Sequence, residues 1–96
     1  FREEYQKRRQ LMCSYLDQLS HVSSYVMPTS AYFVFPYFNN CSDSLGLAKD
    51  ILGKVKLATV PGEAFGPTGK SHLRLSFGRT EEDIAEGMKR LVSYYN

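Results

Sequence analysis

Residues 64–71 read AFGPTGKS, and with Ala64 in the place of a first glycine they fit a phosphate-cradling pattern: Gly or Ala, four free positions, then Gly-Lys-Ser/Thr. Such a loop holds phosphate only where it joins a strand to the first turn of a helix, so that backbone N–H groups and the positive helix end converge on the anion. The upstream side complies, since Val55-Lys56-Leu57-Ala58-Thr59-Val60 is short, rich in β-branched residues and closed by Pro61-Gly62. The downstream side does not. His72-Leu73-Arg74-Leu75-Ser76-Phe77 alternates polar and apolar with a period of two, which predicts a strand. A strand sends its N–H groups into a sheet ladder, so nucleotide binding is not expected.

The same alternation isolates a second candidate. Leu73, Leu75 and Phe77 share one face, while His72, Arg74 and Ser76 share the other. A guanidinium in mid-strand is either solvated on an open sheet face or kept for a planar anion, which it grips with two parallel N–H···O bonds. On these residues alone the exposure habits of arginine favour solvation. His72 reads as a surface imidazole and His21 as part of a polar connector. Cys13 reads as a small apolar helix residue, and Cys41, in a turn, has no basic neighbour to activate it. The two cysteines show no metal-ligand spacing. Lys70 follows Gly69 in an open loop without the desolvation that Schiff-base chemistry needs. No residue of this sequence reads as catalytic, cofactor-binding or metal-binding.

Positioning Arg74 requires a fold, and the totals bound it. Ninety-six residues form a single domain, residues 1–96, with one core that buries about 60–65% of the unfolded surface. That suits a module better than a whole enzyme. The 12 basic and 10 acidic residues are spread along the chain, so a net charge of +2 points to neither nucleic acid nor a membrane. The run Lys7-Arg8-Arg9 reads as a solvated helix face. With no signal peptide and no long apolar run, a reducing, cytoplasmic location is the default expectation. Phe1 to Tyr5 is already helical in character, without Met or cap, which suggests a piece of something longer.

Apolar spacing predicts a helix over 3–19 through Tyr5, Leu11, Met12, Tyr15, Leu16 and Leu19. After a connector at 20–28, the run Ala31-Tyr32-Phe33-Val34-Phe35-Pro36-Tyr37-Phe38 reads as a strand apolar on both faces. Its rings would also suit base stacking, but no RNP signature accompanies them and core packing accounts for them. Ser44 is the expected N-cap of a helix ending at Gly53, with Leu47, Ala48, Ile51 and Leu52 on its apolar side. Strands at 55–60 and 72–77, joined by the loop 61–71, form an antiparallel pair. Thr80-Glu81-Glu82-Asp83 opens the last helix, whose inner side is Ile84, Met88, Leu91, Val92 and Tyr95. The expected fold is α+β in two layers, a three-stranded, mainly antiparallel sheet with helices packed on one face, in the order α-β-α-β-β-α.

Several segments, taken in register over nearly the whole chain, resemble the C-terminal small domain of class I/II pyridoxal-phosphate aminotransferases, the aspartate aminotransferase-like branch of fold type I. They are the opening helix with Tyr5, Arg8 and Arg9, and the strand Tyr32-Phe33-Val34-Phe35-Pro36. Ile51-Leu52 and Val60-Pro61-Gly62-Glu63-Ala64-Phe65-Gly66 follow, then Leu73-Arg74-Leu75-Ser76-Phe77 and the helix from Thr80 to Leu91. Ser30 departs from the pattern, standing where the family usually has Gly. The resemblance implies that Arg74 clasps the α-carboxylate of an amino-acid substrate, and that AFGPTGKS is an inter-strand loop. It implies pyridoxal 5'-phosphate as cofactor, bound by a large domain absent from these residues, with amino acid and 2-oxo acid substrates and a homodimeric complete enzyme. The 96 residues alone would then be inactive. A free-standing α+β module that binds a ligand or RNA is the alternative.

Overall fold

The computed structural model describes residues 2–96. Three helices, α1 (Arg2–Asp17), α2 (Ser44–Val55) and α3 (Glu81–Tyr95), share one core with five short strands. The strands are β1 (Ser23–Ser24), β2 (Phe33–Val34), β3 (Tyr37–Phe38), β4 (Val60–Pro61) and β5 (Leu73–Ser76). All pairings are antiparallel: β2, β5 and β4 form a three-stranded sheet with β5 in the centre, and β1 pairs with β3 in a second, two-stranded sheet. The architecture is the expected α+β one, with the small sheet as an addition.

β5 organises the molecule because its side chains alternate between two environments. Leu73, Leu75 and Phe77 are buried together with Met12, Cys13 and Leu16 of α1, Ala48 and Ile51 of α2, and Ile84, Met88 and Leu91 of α3. Burying each such side chain contributes about 1.5–3 kcal/mol, so the inward face of β5 fixes its register against all three helices. His72, Arg74 and Ser76, on the opposite face, lie outside that core and range from partly buried to exposed.

Residues 31–38 run along β5 with one register throughout. Phe33 faces Ser76, Val34 faces Leu75, and beyond Pro36 an isolated bridge places Tyr37 opposite His72. Pro36 has no N–H to give, which divides the ladder into β2 and β3, although its carbonyl still accepts from Leu73 N at 3.3 Å. The expectation of a strand buried on both faces needs correction. Val34, Pro36 and Phe38 are buried, whereas Phe33 and Tyr37 stand on the open face at 38% and 42% exposure.

The segment 55–60 also differs from its sequence reading. α2 continues through Gly53 to Val55 and ends at Lys56, which adopts the left-handed conformation (φ 60°) and returns its N–H to Leu52 O at 3.1 Å. Arg90 of α3 donates to the Lys56 carbonyl at 3.1 Å, so a contact distant in sequence completes this helix end. Only Val60 and Pro61 then pair with β5, and 57–59 run past it unpaired beside a cleft of about 190 Å³ bordered by β5 and α3. Leu52, expected on the inner side of α2, is half exposed. Asp43, not Ser44, caps α2, its Oδ1 accepting from Gly46 N at 3.0 Å. Thr80 caps α3 as expected, accepting from Asp83 N at 3.1 Å.

Candidate functional site

The open face of the sheet gathers Arg74 and Ser76 of β5 and His72 just before it with Phe33, Phe35 and Tyr37 of the neighbouring run 31–38. Phe65 joins them from the 3-10 turn Gly62–Phe65. Arg74 lies among them, partly buried, directly opposite Val60 of β4. Its guanidinium carbon sits over the Phe33 ring at 5.1 Å and over the Phe65 ring at 5.0 Å. Among the described residues the ion pairs are Glu4–Arg8, Asp50–Lys54 and Glu86–Arg90, each one helical turn apart, and Arg74 takes part in none. No carbonyl or hydroxyl among the described residues accepts a hydrogen bond from it either, whereas Arg9 and Arg90 both find backbone carbonyls. Arg74 is therefore held by aromatic faces while its N–H donors remain free for a planar anion.

Two separate tethers place the two rings. Before β2, the Tyr5 hydroxyl of α1 donates to Ala31 O at 3.0 Å, and Arg9, one turn on, donates to Pro28 O at 2.9 Å. These bonds set where the chain enters β2 and hence where Phe33 stands; Arg9 thus departs from the solvated face expected of its run. Ser30, in the segment leading into β2, has no left-handed φ, so the usual glycine is not required there. The turn carrying Phe65 is fixed from α2, where the buried Ser44 Oγ accepts from Glu63 N at 3.1 Å. Gly62 N donates to His72 O at 2.8 Å, and a Cβ at Gly62 would lie 2.7 Å from that same oxygen and collide with the Gly69 carbonyl as well. Only glycine permits this approach.

His72 is not the surface imidazole expected. It stacks on Phe35 with centroids 4.7 Å apart and rings 11° from parallel, meets Tyr37 edge-on, and has a buried Nδ1 without a hydrogen-bond partner. Phe35 in turn meets Phe65 edge-to-face at 6.2 Å. His72 therefore braces the aromatic row that ends at Arg74. Sequence reasoning missed Phe33 and Phe65. Phe33 could have been found by carrying the alternation of β5 across to the paired run, since the odd positions 33, 35 and 37 share the face of Arg74.

The remaining candidates are quiet. The AFGPTGKS loop folds into two short 3-10 turns and passes into β5 instead of a helix. Gly66 N and Gly69 N turn back on Glu63 O and Gly66 O, and the next residue, His72, gives its N–H to Gly69 O. Lys70 is exposed, and no phosphate cradle forms. Cys13 is buried with its sulfur 3.8 Å from Met27 Sδ, and burial pushes its thiol above the ordinary pKa. Cys41 is half-buried and its thiol meets Lys70 O at 3.5 Å. Among the described residues no group of three His, Cys, Asp or Glu comes together to hold a metal ion, and no helix is long and apolar enough to cross a membrane.

The molecule is thus an antiparallel sheet packed on helices, with an aromatic-flanked arginine on its open face that has no ion pair among the described residues. Comparison with known proteins gives that module a family. The chain is 35% identical to the probable aspartate/prephenate aminotransferase of Aquifex aeolicus over 94% of its length, and 32% identical to the aspartate aminotransferase of Pyrococcus abyssi, also over 94%. The aromatic aminotransferase structure from Pyrococcus horikoshii superposes with a TM-score of 0.87 at 30% identity over 97% of the chain. No family model matches. The chain belongs with the fold type I aminotransferases, matching their C-terminal part. It spans about a quarter of their length, 23% of the Aquifex protein and 25% of the Pyrococcus horikoshii chain.

Proposed function

We propose that residues 1–96 are the small domain of a pyridoxal-phosphate-dependent aminotransferase that moves an amino group between an amino acid and a 2-oxo acid, and that Arg74 binds the substrate's α-carboxylate. The observation that carries this reading is the guanidinium held over two rings with no acceptor for its N–H groups among the described residues. In such an enzyme the cofactor, when bound, supplies the electron sink. No residue of this chain fits as its anchor, because all six lysines are exposed and none is desolvated for imine formation. The cofactor's holders then lie outside these residues, in the remaining three quarters of the protein, and the chain alone is inactive.

Arg74 would contribute orientation. The bond broken at the substrate's Cα must stand in one direction relative to the cofactor, and a two-point grip that holds the carboxylate in place fixes the rotation about the Cα–nitrogen bond that sets this direction. A lysine at this place supplies charge without that constraint. The same contact would draw the open face onto the rest of the enzyme and exclude water as substrate enters. Exposed Phe33, Tyr37 and Phe65 suit such a closing surface. A homodimeric, cytoplasmic enzyme fits the family.

The test is Arg74→Lys in the complete protein, assayed with aspartate or phenylalanine against 2-oxoglutarate. We expect kcat/KM to fall about a hundredfold or more with the fold unchanged by circular dichroism. Activity within twofold of the parent would remove Arg74 from the site.

A further inference from the structure

We infer that Phe33 and Phe65 are positioning residues, an aromatic bracket that holds the Arg74 guanidinium ready for a carboxylate. The inference rests on the reading of Arg74 given above and adds how that group is held before substrate arrives. An arginine presented to an incoming anion must be restrained, because a free side chain loses rotamer entropy on binding. The usual restraint, a neighbouring carboxylate, would occupy the N–H fork that the substrate needs and would oppose its charge. A phenyl ring avoids both effects: its face attracts the cation but offers no lone pair to the N–H groups.

The bracket has the geometry this requires. The guanidinium carbon is 5.1 Å from one centroid and 5.0 Å from the other, and the rings come from elements distant in sequence. Each ring is fixed independently of Arg74. Phe33 is held by the Tyr5 and Arg9 bonds to the chain before β2 and by the pairing with Ser76. Phe65 is held by Ser44 Oγ on Glu63 N and by its edge contact with Phe35, itself stacked on His72. Both rings remain partly exposed, 38% for Phe33 and 56% for Phe65, far more than core packing would leave them. Their placement beside an unpaired cation has no counterpart in what holds the fold together.

The experiment titrates 3-phenylpropionate, which has a planar headgroup, and 2-phenylethanesulfonate, which has a tetrahedral one, into the complete cofactor-loaded protein by calorimetry. The variants are Phe33→Leu, Phe65→Leu, Phe33→Tyr, Phe65→Tyr and Arg74→Lys. Each leucine variant should weaken 3-phenylpropionate about three- to tenfold and reduce the preference for carboxylate over sulfonate, with the thermal midpoint unchanged. The tyrosine variants, which keep the ring face, should bind within about twofold of the parent. Leucine variants that bind and discriminate like the parent, while Arg74→Lys loses binding, would overturn the bracket and leave the carboxylate reading standing. Weakened binding that tracks a lowered midpoint and is not restored by tyrosine would also overturn it, as a purely structural effect. If Arg74→Lys binds like the parent, or the parent binds neither ligand, the reading of Arg74 falls and the bracket falls with it.

Discussion

Asp50 and Arg74 are both charged, both at the edge of the core, and this chain treats them in opposite ways. Asp50 on α2 receives the Tyr94 hydroxyl of α3 at 2.5 Å and Lys54 Nζ at 3.2 Å, and the Lys54 ammonium also lies over the Tyr94 ring at 5.8 Å. Those bonds, Tyr94's first, hold its carboxyl below the ordinary carboxylate range. Arg74 receives two ring faces and, among the described residues, no acceptor. The first arrangement is closed, since every strong group has a partner within the chain and the result fastens α3 to α2. The second is open, with the cation fixed in place and its donors free. A charge that serves the fold is completed by the fold, while one left incomplete among rigid neighbours is where the proposed partner from outside would bind.

The open arrangement is the easier one to break, and Gly62 is where to break it. The turn that bears Phe65 can approach β5 only because residue 62 has no Cβ, and the atoms in the way are backbone oxygens that cannot swing aside. Gly62→Ala should cost about 3 kcal/mol, at the upper end of overpacking penalties, and displace Phe65 from Arg74. Chemical denaturation of the chain measures the first effect, and loss of 3-phenylpropionate binding in the complete protein the second. The Asp50–Tyr94 bond, on the far side of the core, should be undisturbed. Equal stability of Gly62→Ala and the parent would mean that the turn is not pinned to β5.

How much of this contrast the sequence disclosed depends on whether the cause was local. The two faces of β5 were legible because a period of two forces Leu73, Leu75 and Phe77 to one side and Arg74 to the other. The Thr80 cap was legible because Ncap and N3 are three residues apart. The Asp50–Tyr94 bond joins residues 44 apart, and no local pattern marks it. Phe65 owes its place to Ser44, 19 residues from Glu63. Phe33 lay hidden in a run so uniformly apolar that its alternation does not show until a partner strand is laid beside it. At 55–59 the β-branched residues favour a strand, but the Arg90 bond to Lys56 O and the left-handed turn at Lys56 let α2 run through Gly53. The resemblance supplied Arg74's role, and without it the bare alternation favoured solvation.

Tyr94→Phe sharpens the closed half of the comparison through pH. Burial, and next the bond to Asp50, push the Tyr94 hydroxyl up to about 12 from its ordinary 10. A group whose pKa is raised on folding contributes stability that is fully present below its unfolded value and is lost as pH climbs through the folded one. The phenylalanine variant should therefore be less stable than the parent from neutral pH to about 10, and the difference should close between about 10 and 12. Tyr25, also raised, is common to both proteins and cancels in the difference, as does the burial that chiefly raises Tyr95, while the smaller push Tyr95 takes from Tyr94 is absent in the variant. Denaturation at a series of alkaline pH values reads it directly. A difference that stays constant through pH 12 would show that folding does not raise the hydroxyl's pKa, and equal stability at neutral pH would show that its bond does not fasten α3 on α2.

The smallest effect on stability should come from the residue with the largest effect on function. Removing a charge that the fold has completed leaves its partners unsatisfied, but Arg74 has no internal partner to strand. Arg74→Gln gives up two cation–π contacts at a half-exposed position and gains relief from holding an unpaired cation partly out of water. The two effects oppose each other, so the chain's stability should change by no more than about 1 kcal/mol. Carboxylate binding by the complete protein should vanish in the same variant. Were Arg74→Gln instead to destabilise the chain as much as Gly62→Ala does, the guanidinium would be serving the fold through a contact of its own, and its likeness to Asp50 would replace the contrast drawn between them.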